Sequence, residues 1–203
     1  MINPDPEIRR LMEIMPASGR MFCKLISRPE QSTVIAAEFP RPWKQARPLS
    51  INFDLWSELP RPQRDLLLLR TVSWLTGVKW FQPDLASGLV LAGVIGTIVE
   101  IVQADAVGAV TAGALAGLAG TQIWRSNRNS QKELDADEAA IQVALRRGYS
   151  EADAARHLLG AIESAARIEG RSNLSFTELL RCQNLRAIAG LSSATVPPSM
   201  RKE

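Results

Sequence analysis

Apolar residues open the chain at helical spacing: Ile8, Leu11, Met12 and Met15 recur, and Pro16 ends the pattern. The spacing predicts a short amphipathic helix, turned either toward a core or toward a membrane surface or partner. Two β-type runs follow, TVIAAEF at 33–39 and PLSINF at 48–53, joined by a Pro- and Trp-containing stretch at 40–47. Such a pair predicts a β-hairpin or a small sheet edge. Residues 54–59 read as a helical turn ended by Pro60 and Pro62. The run QRDLLLLRTVSWL at 63–75 has strong helix propensity and almost continuous apolar positions. A helix apolar on most sides is buried among other elements or pressed against a bilayer.

Two long apolar stretches come next, at 85–103 and 106–124. Each has 19 residues, and a bilayer-spanning helix needs roughly 17–25. Gln103-Ala104-Asp105 is the only polar break between them, so they predict a tight transmembrane hairpin. Lys79 precedes the pair, Arg125, Arg128 and Lys132 follow it, and the connecting loop has no base. The positive-inside rule then places both flanks on the cytoplasmic side. Trp80 and Trp124 flank the pair where indoles favour the interface, while Trp43, Trp56 and Trp74 read as core. Small residues fall on one stripe of each stretch: Gly88, Ala92 and Gly96 in the first, Gly108, Ala112, Ala116 and Gly120 in the second. Such stripes let helix backbones approach closely. They fit packing of the two helices on each other, a glycine-zipper oligomer, or a buried hairpin in a larger complex. Glu100 reads as a snorkelling side chain.

Past residue 125 the chain turns polar and helical again. A helix is predicted at 133–146 with Gly148 as its stop. Ser150, with Asp153 three residues on, opens a second helix reaching about 168, and Ser175 with Glu178 opens a third at 176–189. The tail from 192 reads as disordered. Charge follows the same division: between residues 85 and 124 only Glu100 and Asp105 are charged, and all 24 Lys and Arg lie outside that segment. The net charge of +3 shows no clustered basic face of the kind nucleic acid selects. Cys23 and Cys182 are far apart, with no metal-ligand spacing. His157 is the single histidine and reads as a helix-surface residue, which excludes most histidine-based zinc chemistry.

The order of parts, and Glu133-Leu-Asp-Ala-Asp137 followed by Arg147-Gly148-Tyr149-Ser150-Glu151, resembles the membrane-bound M48 metallopeptidases, the HtpX and Ste24 kind, over about residues 33–168. The general look is also similar to a small cyanobacterial membrane-protein family of unknown function. The metallopeptidase resemblance implies HExxH on the apolar helix and a third zinc ligand from the Glu-xxx-Asp motif, here Glu133. The HExxH slot instead reads Arg70-Thr71-Val72-Ser73-Trp74. Arg70 and Trp74 stand in the histidine positions and Thr71 in that of the catalytic glutamate. A guanidinium cannot become a metal ligand, and without the glutamate there is no general base to activate water. The resemblance implies an Arg70–Glu133 ion pair where zinc would sit, with Asp137 as a second acceptor. The alternative is that Glu133 and Asp137 form a solvated charge run on an exposed helix face.

The expected fold is α+β, predominantly α: a degenerate zincin-like domain with a small β-hairpin or sheet and an inserted two-helix transmembrane hairpin. Its parts are an N-terminal cytoplasmic part at 1–84, the hairpin at 85–124, a helical part at 125–190 packing on the first, and a disordered tail at 191–203. The expected protein is an integral membrane protein of the plasma membrane or an internal (thylakoid) membrane, with both termini cytoplasmic. Its expected partners are membrane lipid and a membrane-protein complex or further copies of itself, with no nucleic acid. No catalytic residue, metal or cofactor is expected, and Arg70, Thr71, Trp74, Glu133 and Asp137 are read as vestigial zinc-site positions. Two functions follow: a non-catalytic membrane-anchored adaptor or assembly factor, or a glycine-zipper oligomer that shapes or permeates the bilayer.

Overall fold

The computed structural model describes residues 3–40, 46–77 and 130–191. These described residues belong to one compact unit. Both 19-residue apolar stretches with their small-residue stripes, Trp43, Trp80, Trp124 and the tail from 192 lie outside the described residues.

The chain begins with α1 (Asp5–Ile14), where Leu11 is fully buried and the pattern ends at Met15 as the proline demands. A short helix, α2 (Ala17–Phe22), leads directly into β1 (Cys23–Ser27). Strands β2 (Ile35–Ala37) and β3 (Arg47–Ile51) pair antiparallel, with Ile35 opposite Ile51 and Ala37 opposite Leu49. The predicted hairpin pairing is therefore present, but β3 is the middle strand of three. Its other edge takes β1 in parallel, with Leu25 opposite Leu49. Neither β1 nor α2 was expected from the hydrophobic pattern.

One buried side chain ties the sheet together. Asn52 donates through Nδ2 to the carbonyls of Pro29 (2.9 Å) and Gln31 (2.8 Å). Its Oδ1 accepts from the amides of Asp54 and Leu55, capping α3 (Phe53–Ser57). An asparagine at this position satisfies orphan donors of the helix and carbonyls of the β1–β2 loop at once.

Helix α4 (Arg61–Gly77) explains its own composition. Leu67, Leu68, Val72 and Leu75 join α1, α3 and the sheet in one core. Leu66 and Leu69 enter a second core with α5 (Ser130–Leu145), α6 (Glu151–Ile168) and α7 (Phe176–Ile188). Burial on two sides requires apolar residues around most of the helix, so the run carries little amphipathic signal. Among the described residues no helix is long and apolar enough to cross a membrane. The expectation of an integral membrane protein with cytoplasmic termini is corrected accordingly. In α4 the leucines meet protein rather than lipid, and Arg61, Arg64, Asp65 and Arg70 interrupt the apolar run.

Two positions require glycine, one for close approach and one for its backbone conformation. A Cβ on Gly19 would meet Val72 Cγ1 at 2.6 Å, so only glycine lets α2 lie this near α4. Gly148 ends α5 with φ of 92°, a left-handed conformation that suits glycine after a helix. The N-terminal boundaries of α6 and α7 follow the capping residues: Ser150 accepts from the Asp153 amide, and Ser175 and Glu178 form a full capping box.

A polar clamp joins the first helix to the rest. Glu7 accepts from Arg10 (2.7 and 2.9 Å), Arg64 (3.0 Å) and the Trp56 indole (3.1 Å). Arg10 also pairs with Asp65, which accepts from the Tyr149 hydroxyl at 3.0 Å. The bond from Arg10, with help from Trp56 and Arg64 against the opposing effect of burial, holds the Glu7 carboxyl at about 2, against an ordinary 4.5. A carboxyl whose pKa is depressed on folding contributes stability above its unfolded value, and loses it as pH falls through the folded one. The melting temperature should therefore drop as pH is lowered from about 4.5 toward 2. Glu7→Gln should flatten that acid limb in melts recorded between neutral and acid pH.

Candidate functional site

The seam where the two cores meet along α4 opens into a cavity of about 470 Å³. Arg70, Thr71 and Trp74 line it from α4, Glu133 from α5, and Thr33, Ile35 and Ala37 from β2 and the residues before it. Ile162, Ala165 and Glu169 from α6 and its end, Arg171 from the following turn, and Glu178 and Arg181 from α7 complete the wall. The spacing of Arg70 and Trp74, four apart on α4, puts both on one face, and Thr33, Ile35 and Ala37 share a face by strand alternation.

The structure brings Arg70, Glu133 and Asp137 together. Arg70 pairs with Glu133, and its Nε stands 3.4 Å from Asp137 Oδ1. Asp137 is fully buried, so it is no part of a solvated charge run; Glu133, at 24% side-chain exposure, lies nearer the surface. The main partner of Asp137 is Arg181, which donates Nε and Nη2 to its two oxygens at 2.8 Å each. That planar, two-bond geometry is the strongest way to neutralise a buried carboxylate. Arg171 lies between Glu169 (2.8 Å) and Glu178 (2.9 Å), and the other oxygen of Glu169 accepts from the Val34 amide at 2.8 Å. This last bond fastens the end of α6 to the residue preceding β2.

Each charge feels its surroundings. Burial pushes the Arg70 guanidinium down to about 10, the Arg181 charge adds to that effect, and Asp137 opposes it. Burial would raise the Glu178 carboxyl, but the bonds from Arg171 and Ser175 outweigh it and hold the group at about 2.

Thr71 is buried, and its hydroxyl donates to the Leu67 carbonyl one turn back, at 2.8 Å. Trp74 presents an edge-to-face contact to Phe39, with ring centroids 6.0 Å apart. His157 lies away from the cavity on α6, its ring edge-on to Tyr149 at 6.1 Å. Among the described residues no three His, Cys, Asp or Glu side chains are grouped so as to hold a metal ion. The donor set around Arg70 does not fit zinc: a permanently charged guanidinium and an indole flank the carboxylates, and neither is a ligand. The small-residue stripe from Gly88 to Gly120 lies outside the described residues.

Sequence reasoning did not find Arg181, Arg171, Glu169 or Glu178 as site residues. For Arg181 a signal existed. It shares a buried stripe of α7 with Cys182 and Leu185, and a charge within an apolar stripe requires a buried counter-charge. Asp137, one turn before the buried Ala140 and Ile141, is the complementary case.

No curated protein and no solved structure matches the chain. A family profile does, over residues 9–149, under the description "Protein of unknown function (DUF3318)", and the match takes in Arg70, Glu133 and Asp137. Spanning more than two-thirds of the sequence, this match makes the chain a member of the DUF3318 family of proteins of unknown function.

Proposed function

We propose that this protein is a non-catalytic adaptor or assembly factor that uses the cavity beside α4 for recognition rather than reaction. The scaffold in this reading is that of a metallopeptidase relative whose hydrolytic centre has been replaced. The observation that carries it is the position of Arg70. The apolar helix packs against the helix of the Glu-xxx-Asp motif, the two share one cavity, and a guanidinium faces Glu133 and Asp137 at the place where the metallopeptidase resemblance puts the ion. Thr71 supports the same reading, because the position expected of a general base holds a hydroxyl already bonded to backbone.

The partner in this reading is another protein, engaged through surfaces around the cavity. The test is metal analysis and proteolysis with the purified full chain. Less than a tenth of an equivalent of zinc is expected, with no change in melting temperature on adding chelator or zinc. Stoichiometric zinc together with chelator-sensitive hydrolysis of a peptide would overturn the proposal.

A further inference from the structure

We infer that the protein rests on an anionic bilayer surface through a basic, apolar tip formed by Arg20, Met21, Phe22, Lys24 and Arg47. The inference stands apart from the cavity and goes beyond the adaptor reading. It concerns surface side chains and asks nothing of a spanning helix.

The tip lies where α2 passes into β1. Gly19 and Cys23, on either side of it, are buried, and Gly19 is held against Val72 of α4. Between these anchors Met21 is 77% exposed and Phe22 40%. Lys24 follows and points away from the core, because strand alternation sends it opposite to the buried Cys23. Arg47 is the partner of Cys23 in the parallel pairing of β1 with β3. Its guanidinium donates to the Leu75 carbonyl and lies 5.7 Å from the centre of the Phe22 ring. An arginine held in this way steadies the ring and adds a third positive charge beside it.

Charge says what the tip is made to meet. From Ile14 to Pro29 there is no acid. Among the described residues neither Arg20 nor Lys24 is paired with one. The other exposed apolar pair, Phe176 and Leu179 on α7, is different. Its neighbours Glu178 and Arg186 are already paired, with Arg171 and Glu163, so that surface is neutralised within the fold.

Protruding apolar side chains ringed by bases match the two layers of an anionic membrane. Met21 and Phe22 would enter the boundary between headgroups and acyl chains. Arg20, Lys24 and Arg47 would stay at the level of the lipid phosphates, with their stems along the apolar layer. A protein partner would have to bring a pocket shaped for both apolar side chains, whereas lipid packs around a tip of any shape. None of the five residues belongs to the cavity wall.

The test places an environment-sensitive nitrobenzoxadiazole label at position 21 of the full chain through Met21→Cys. Phe176→Cys is the control, and the unsubstituted chain, whose two cysteines are buried, gives the background. A blue shift with at least twofold brighter emission is expected at position 21 on adding vesicles of phosphatidylcholine with about one-third phosphatidylglycerol. Phosphatidylcholine vesicles and soluble polyglutamate should leave that label unchanged, and the label at position 176 should respond to none of the three. Arg20→Glu with Lys24→Glu should raise the lipid concentration at half-effect at least tenfold, in line with about fivefold for each base lost near the surface. All these changes fall on exposed side chains, so the variants should melt with the unsubstituted chain. No shift at position 21, a shift as large with neutral vesicles, or one as large at position 176 would overturn the inference. A shift with polyglutamate equal to that with anionic vesicles would assign the tip to an acidic protein and overturn it too.

Discussion

Asp137→Ala is expected to lower the stability of the fold by about 3–5 kcal/mol, the range for removing one partner of a buried charge pair. Asp137 is completely shielded from solvent, and its carboxylate stands between two guanidinium groups, Arg181 at 2.8 Å and Arg70 at 3.4 Å. Without it, two like charges share a dry seam. Repulsion between them is already felt, since the Arg181 charge helps to lower the Arg70 pKa. Arg181→Met should cost less than Asp137→Ala, because the aspartate then retains Arg70 as counter-ion. Denaturant unfolding decides the order: the midpoint should fall further for Asp137→Ala with the slope unchanged in both. Equal, small losses below about 1 kcal/mol would mark the pairs as surface-like.

The second large effect belongs to Trp56. Its side chain is 1% exposed in the core formed by the sheet, α1 and α4, while its indole N–H reaches Glu7 at 3.1 Å. Trp56→Ala should cost about 3–5 kcal/mol, combining lost transfer free energy with the cavity left behind. Trp56→Phe keeps most of the volume and removes the donor, so its cost should be nearer the roughly 1.5–3 kcal/mol of a hydrogen bond to a charged group. Thermal melts of the two variants, read at neutral pH, separate packing from the polar clamp.

The parts of the fold that were readable in the sequence are those set by local chemistry. Ser150 and Ser175 announce α6 and α7 because a capping side chain and the helix it opens are only a few residues apart. Pro16 and Gly148 mark ends for the same reason. Strand β1 escaped notice because its partner is β3, more than twenty residues on and parallel; nothing local records that pairing. Its apolar residues Leu25 and Ile26 are only partly buried, so the strand lacks a strong alternating pattern. Helix α2, with Met21 77% exposed, has no apolar stripe to reveal it. The continuous apolar run of α4 fitted a bilayer as well as a core, and the two faces it buries decide for the core.

The candidate site divides similarly. Arg70, Glu133 and Asp137 were reached through the resemblance of two segments more than sixty residues apart, which no spacing rule connects. Glu169 sits at a helix end whose charge looks solvent-facing in sequence, and only its bond to the Val34 amide turns it inward, with the exposed Arg171 as its partner on the rim. Arg181 was within reach, as the one cation on an inward stripe of α7.

The most direct test of the proposal that Arg70 stands where a metallopeptidase relative would hold its ion is zinc binding by the variant R70H/T71E/W74H. The substitutions write HExxH onto α4 facing Glu133, supplying two imidazoles and a carboxylate, a donor set that catalytic zinc accepts. The account predicts one equivalent of zinc retained by the folded variant and none by the unaltered chain. A folded variant that takes up no zinc, or an unaltered chain that takes up one equivalent, would contradict it.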